Sequence, residues 1–139
     1  MKTDASAFES ADRLQRAAAR EGFDWRQLDE LWDKLDEEIA ELKEAVSIGP
    51  DKVHEELGDL LFMMVNLARH LNVNCADALT GANRKFQRRY GVVQSRRADW
   101  PPMEDPRRLQ FMEALWQKAK QAERCRPTMN QTDQDINQK

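Results

Sequence analysis

Four acidic residues stand out by their spacing: Glu38 and Glu41, then Glu56 and Asp59. Residues three apart on a helix point about 60° from one another, so each pair shares one side. Taking Leu35 as the centre of the first helix's apolar stripe, Glu38 lies about 60° and Glu41 about 120° to one side. Taking Leu60 as the centre of the second, Glu56 lies about 40° and Asp59 about 100° to the equivalent side. Glu37, Glu44 and Glu55 point away. Counted from Gly49, Glu41 stands eight residues before and Glu56 seven after, while Glu38 stands eleven before and Asp59 ten after. If the two helices are antiparallel, Glu41 meets the level of Glu56 and Glu38 that of Asp59. Four carboxylates at the edge of a core repel one another and resist ionisation unless a cation joins them. An all-oxygen donor set without His or Cys suits Mg²⁺, or Mn²⁺ in its place, and a metal of that kind favours a phosphorylated substrate. A chain with 25 acidic residues puts many on solvated faces, but two pairs matched in both height and flank are a much rarer coincidence.

The elements that must hold these residues are helices. Leu28, Leu31, Trp32, Leu35, Ile39, Leu42 and Val46 repeat at helical period, as do Val53, Leu57, Leu60, Met64, Leu67 and Leu71. The turn Ser47–Asp51, with Gly49 and Pro50, is short enough to make the two helices antiparallel neighbours. Asp24 reads as the N-cap of the first, with Gln27 closing a capping box and Phe23 and Leu28 a hydrophobic staple. A helix from about Asp4 to Arg20 precedes, ended by Gly22. A later helix starts at Asn74 with Leu79, Ala82, Phe86, Tyr90 and Val93 on one face. The last follows Trp100–Pro106, with Asp105 as cap, Pro106 at its first position, and Leu109, Met112, Leu115, Trp116 and Ala119 as its face. The expected architecture is an all-α antiparallel helical bundle, with one domain over residues 1–125 and a polar, disordered tail over 126–139.

The chain has 139 residues and a net charge of −3, without the broad basic surface of a nucleic-acid binder. No apolar run approaches a membrane span, and Cys75 and Cys125 form no ligand or disulfide pattern. The expectation is a cytoplasmic protein with no nucleic-acid or membrane partner. With Phe86 as reference, Arg89 and Lys85 lie about 60° and 100° to one side of their helix, a basic flank suited to phosphate. Asn66 lies on the flank of Asp59 two turns on, placed to read a sugar or base edge or to be an ordinary polar residue. Trp25 and Trp116 are better suited to packing than to base stacking. Lys52, Lys118 and Lys120 are accessory cations, and His54 and His70 are surface or structural residues.

The string Glu37-Glu38-Ile39-Ala40-Glu41, then Glu56-Leu57-Gly58-Asp59, resembles the EExxE…ExxD signature of the MazG and all-α NTP pyrophosphohydrolase superfamily. Gly22-Phe23-Asp24-Trp25, Gly58 to Phe62, Val65 to Leu71, Ala82 to Tyr90 and Leu115 to Lys118 extend the resemblance to the C-terminal domain of MazG, over about residues 10 to 122. The resemblance implies Mg²⁺-dependent hydrolysis of an NTP or dNTP to the monophosphate and pyrophosphate. It implies Glu38, Glu41, Glu56 and Asp59 as metal ligands, and Lys85 and Arg89 as phosphate contacts. It also implies water attack at the α-phosphorus and a homodimer or dimer of dimers; of the four carboxylates, Glu38 is read here as the one that accepts the water's proton. A narrow enzyme of the dUTPase or dCTPase kind, or a helical scaffold without activity, is the alternative.

Overall fold

A computed structural model describes residues 7–125. Among them there is no strand. The elements are α1 (Ala7–Arg20), α2 (Leu28–Ile48), α3 (Pro50–His70), α4 (Cys75–Gln94), a 3-10 turn (Arg97–Asp99) and α5 (Arg107–Arg124). The expected start of α1 at Asp4 and the tail over 126–139 lie outside the described residues. The chain divides into two compact units, Met1–Gly81 and Ala82–Lys139.

In the first unit the helix ends follow local chemistry. At the end of α1, Gly22 takes a φ of 91°. Its N–H donates to Ala19 O, and that of Phe23 to Ala18 O, both at 3.0 Å, the bond pair of a Schellman cap. Gly49 alone joins α2 to α3, with a φ of 152° and Pro50 opening the next helix. So short a link forces the two helices back alongside each other, and α2 packs chiefly on α3, while α1 packs on α3 as well. At the start of α4, Asn74 Oδ1 accepts the Asp77 N–H at 3.0 Å, as its cap position requires.

The start of α2 differs from the expected capping box. The helix begins at Leu28 behind Gln27, which makes no side-chain cap bond. Asp24 is engaged elsewhere: its carboxylate accepts from Arg69 at 2.7 and 2.9 Å and lies 3.1 Å from His70 Nε2. The backbone N–H that this carboxylate accepts is that of the adjacent Trp25, at 2.8 Å. Phe23 stays exposed instead of stapling the helix.

The buried line of α2 is also displaced from the apolar stripe. It runs through Leu31, Glu38 and Ala45, seven residues apart. Trp32, Ile39 and Val46, also seven apart, remain exposed. On α3, Glu56, Met63, Val65, Asn66 and Leu67 are buried, whereas Leu57, Leu61 and Met64 are exposed. By helix geometry the facing line is turned about 50° from the hydrophobic centre, toward the glutamates. Each helix therefore carries two seams, one closed within the chain and one left open.

In the second unit, Val93, Leu115 and Ala119 are buried. Phe86 stacks on Tyr90 and tilts against Trp116, with centroids 5.6 and 5.5 Å apart. Trp100 donates to Val93 O at 3.1 Å, and the Arg97 and Arg108 guanidiniums sit 5.1 Å from its ring centre. α5 starts one residue later than read, with the Asp105 carboxylate accepting the Arg107 N–H at 2.8 Å. Leu79 and Leu109, expected on buried faces, are exposed.

Candidate metal centre

Glu38 and Glu56 sit inside the contact between α2 and α3, only 6% and 5% exposed. The 50° turn of the facing line brings them there, where the sequence placed them on a flank. Each lies in the same eight-residue word, Lys-x-x-Glu-Glu-x-x-acid, over Lys34–Glu41 on α2 and Lys52–Asp59 on α3. The two words make the same contacts. Lys34 reaches Glu38 Oε1 at 3.2 Å and Glu37 at 3.3 Å. Lys52 reaches Glu56 Oε1 at 2.7 Å and Glu55 at 3.2 Å. Lys34 was missed in the sequence and Lys52 rated only an accessory. The signal available was the repeated word, whose Lys at i−4 reaches a Glu one turn on. Glu37 and Glu55 point outward, in keeping with their exclusion.

The geometry brings Glu38, Glu56 and Asp59 together: one carboxylate oxygen from each lies within 4.8 Å of the others. Asp59 is exposed and forms the mouth of the group. Glu41 stands outside this trio but within its field. Desolvation raises its carboxyl above the ordinary value, and the charges of Glu38 and Glu56 add to the rise. The two lysines respond in the opposite sense, each held above the ordinary ammonium value by its carboxylate partners, Glu38 and Glu56 first.

One ammonium per buried glutamate leaves the site half satisfied. Glu38 Oε2 and Glu56 Oε2 are both buried without a hydrogen-bond partner. A buried acceptor left bare is costly, and more so when charged. Two such oxygens beside a third, exposed carboxylate are a donor set that a hard divalent cation fits, since such ions take several carboxylate oxygens and keep water on the open side.

Asn66 is buried on α3, where its Oδ1 accepts from Arg69 Nη2 at 3.0 Å. In the second unit, Lys85 is exposed, and Arg89 grips Glu123 Oε2 at 2.8 and 3.0 Å. Arg88 donates to the other oxygen of Glu123 at 2.8 Å. Arg89 and then Arg88 hold the Glu123 carboxyl down to about 2. Trp116 packs on Phe86, and His70 on Asp24, both structural placements.

Residues 26–93, which contain both acidic words, match the model of the MazG nucleotide pyrophosphohydrolase domain. A nucleoside triphosphate pyrophosphohydrolase/pyrophosphatase MazG of Thermotoga maritima is 38% identical over 114 residues, 82% of this chain and 44% of the relative. A nucleoside triphosphate pyrophosphohydrolase of Escherichia coli is 38% identical over 121 residues, 81% of this chain and 44% of the relative. A protein of Bacillus subtilis named YabN, described as uncharacterized, is 36% identical over 69 residues, 50% of this chain and 14% of its own length. The chain thus spans less than half the length of these relatives. Through the segment that carries both acidic words, this chain belongs to the MazG nucleotide pyrophosphohydrolase family.

Proposed function

We propose that Glu38, Glu41, Glu56 and Asp59 hold Mg²⁺, with Mn²⁺ as a substitute, and that the chain hydrolyses NTPs or dNTPs to the monophosphate and pyrophosphate. The observation that carries this reading is the pair of bare, buried oxygens on Glu38 and Glu56 beside Asp59. The names of the Thermotoga and Escherichia relatives point to the same reaction. A divalent cation bound there supplies Lewis-acid polarisation of phosphate oxygens and offsets the charge on leaving pyrophosphate. The protein's own groups do the rest. Glu38 accepts a proton from the attacking water. The water oxygen bonds to the α-phosphorus as the bond from that phosphorus to the α,β-bridging oxygen breaks. Lys34 and Lys52 are the counter-ions of the buried glutamates, and with a cation held by those carboxylates their ammoniums would be free to bind polyphosphate. Lys85 and Arg89 add phosphate-binding cations, Arg89 through a two-pronged grip that lysine lacks.

The open seams support a homo-oligomer, a dimer or dimer of dimers. Trp32, Ile39 and Val46 on α2 and Leu57, Leu61 and Met64 on α3 are exposed. By helix geometry both sets lie on the side of the hairpin away from Glu41 and Asp59. A second hairpin laid on them completes a four-helix core and leaves the acidic side free. No described helix is long and apolar enough to cross a membrane.

The deciding experiment is pyrophosphate release from individual NTPs and dNTPs with Mg²⁺, with EDTA, and with Glu56→Gln. Release that needs the metal and is lost in the variant is the expected result. Folded protein that releases no pyrophosphate from any nucleotide overturns the reading.

A further inference from the structure

Within the first unit, a cavity of about 420 Å³ opens between α1, the loop before α2, and α3. That volume falls in the range of small-molecule sites, roughly 300–1,000 Å³. Leu14, Phe23, Trp25 and Phe62 make its apolar walls, and Asn66 and Arg69 stand at its polar end. Asn66 is only 6% exposed. Its neighbours decide which way its amide faces. Arg69 Nη2 lies 3.0 Å from Oδ1, and a guanidinium can only donate, so the amide oxygen must face the arginine. The amide nitrogen is left toward Met63 Sδ at 3.7 Å, a weak thioether acceptor. The cavity therefore contains a buried N–H donor without an oxygen or nitrogen acceptor.

The arginine that sets this orientation is itself held. Asp24 grips it at 2.7 and 2.9 Å, and Gln15 Oε1 lies 3.5 Å from its Nε. Asp24 is anchored in turn by the Trp25 N–H at 2.8 Å. Along α3, Asn66 follows Asp59 by seven residues, which puts it on the same face about 10.5 Å further on. A nucleotide whose α-phosphate lies at the carboxylates spans that interval with its sugar and presents its base to the cavity.

We infer that this cavity receives the substrate's nucleobase and that Asn66, oriented by Arg69 and Asp24, selects an exocyclic carbonyl over an exocyclic amino group. The inference rests on the nucleotide-hydrolysing reading above. A base entering with its sugar toward the carboxylates leads with the edge far from the glycosidic bond. Uracil, thymine, guanine and hypoxanthine carry a carbonyl there, which accepts the amide N–H. Cytosine and adenine carry an amino group, which sets donor against donor and leaves both unpaired. Phe23, Trp25 and Phe62 supply aromatic surface for the base faces. Arg69 is a positioning residue, since it acts through Asn66.

The test compares kcat/KM for UTP, GTP, CTP and ATP in the wild type, Asn66→Asp and Arg69→Met. The wild type is expected to favour UTP and GTP by at least about tenfold, chiefly through KM. Asn66→Asp puts an acceptor where the amide donated, and the preference is expected to fall by about tenfold or invert. Arg69→Met frees the amide to turn, and the ratio moves toward one. Thermal stabilisation by UMP and GMP against CMP and AMP reads the same preference without turnover, and wild-type protein alone suffices for it. Equal rates and equal stabilisation across the bases, an amino-base preference in the wild type, or an unchanged ratio in Asn66→Asp would each overturn the inference. Pyrophosphate release without base discrimination sinks the cavity assignment alone. Base-selective stabilisation without any release sinks the reaction and leaves the cavity assignment standing.

Discussion

Lys34 and Lys52 each hold one oxygen of a buried glutamate and leave the other bare. Lys34→Met or Lys52→Met is therefore expected to lower the thermal midpoint in EDTA, with saturating Mg²⁺ restoring most of the loss. An equal loss with and without metal would deny them the counter-ion role. Glu56→Gln keeps the shape but removes the charge, and is expected to reduce pyrophosphate release by about 100-fold or more. Asp24 sets a pH dependence of its own. Donation by Arg69 is the largest influence and, with His70 and the Trp25 N–H, holds the carboxyl well below the ordinary range against burial. A depressed carboxyl stabilises the fold above its unfolded value of about 3.9, and that contribution is lost as pH falls through the folded value. Urea melts of wild type and Asp24→Asn should differ most at neutral pH and converge as the solution is acidified below about pH 4. The grouping of Glu38, Glu56 and Asp59 was legible from the i, i+3 spacing, whereas Glu41, read with them, stands outside the trio. Arg69 was not legible, because its contact with Asp24 spans 45 residues.

At the scale of the helices, the two seams of α2 make a sharp comparison. Leu31 is 1% exposed and Ile39 is 36% exposed. Leu31→Ala leaves a cavity between α2 and α3 and should cost about 2–5 kcal/mol in urea unfolding. Ile39→Ala should cost much less in any state where the open seam is uncovered. Gly49 is the other critical point, since it alone joins the two acidic helices at a φ of 152°. Gly49→Ala strains that link and should cost about 1–3 kcal/mol. Helix ends governed by local bonds were readable: the Schellman cap at Gly22, the turn at Gly49 and Pro50, and the Asn74 cap. The capping box at Asp24 was not, because a distant arginine grips its carboxylate. The buried line of α2 was misread for a similar reason. Hydrophobicity marks every face that avoids water, without saying which one faces the neighbouring helix.

For the molecule as a whole, the open seams predict assembly. Ile39→Glu and Leu57→Glu are expected to reduce the mass in sedimentation while helical content by circular dichroism is kept. A monomeric wild type at micromolar concentration would refute the oligomer. Mg²⁺ should raise the thermal midpoint, since binding at 100 times Kd stabilises the fold by about 2.7 kcal/mol. The amino-acid sequence alone determined the helical class, the short link that makes α2 and α3 antiparallel, and the four acids worth watching. These depend on residue type and on periods of three to seven, which a helix reads locally. Only the tertiary structure decided that Glu38 and Glu56 lie inside the helix contact, that Lys34 and Lys52 guard them, and that Asp24 and Arg69 turn the Asn66 amide. Those facts depend on the rotation of one helix against another and on ion pairs between residues far apart in the chain, and helical periodicity carries neither.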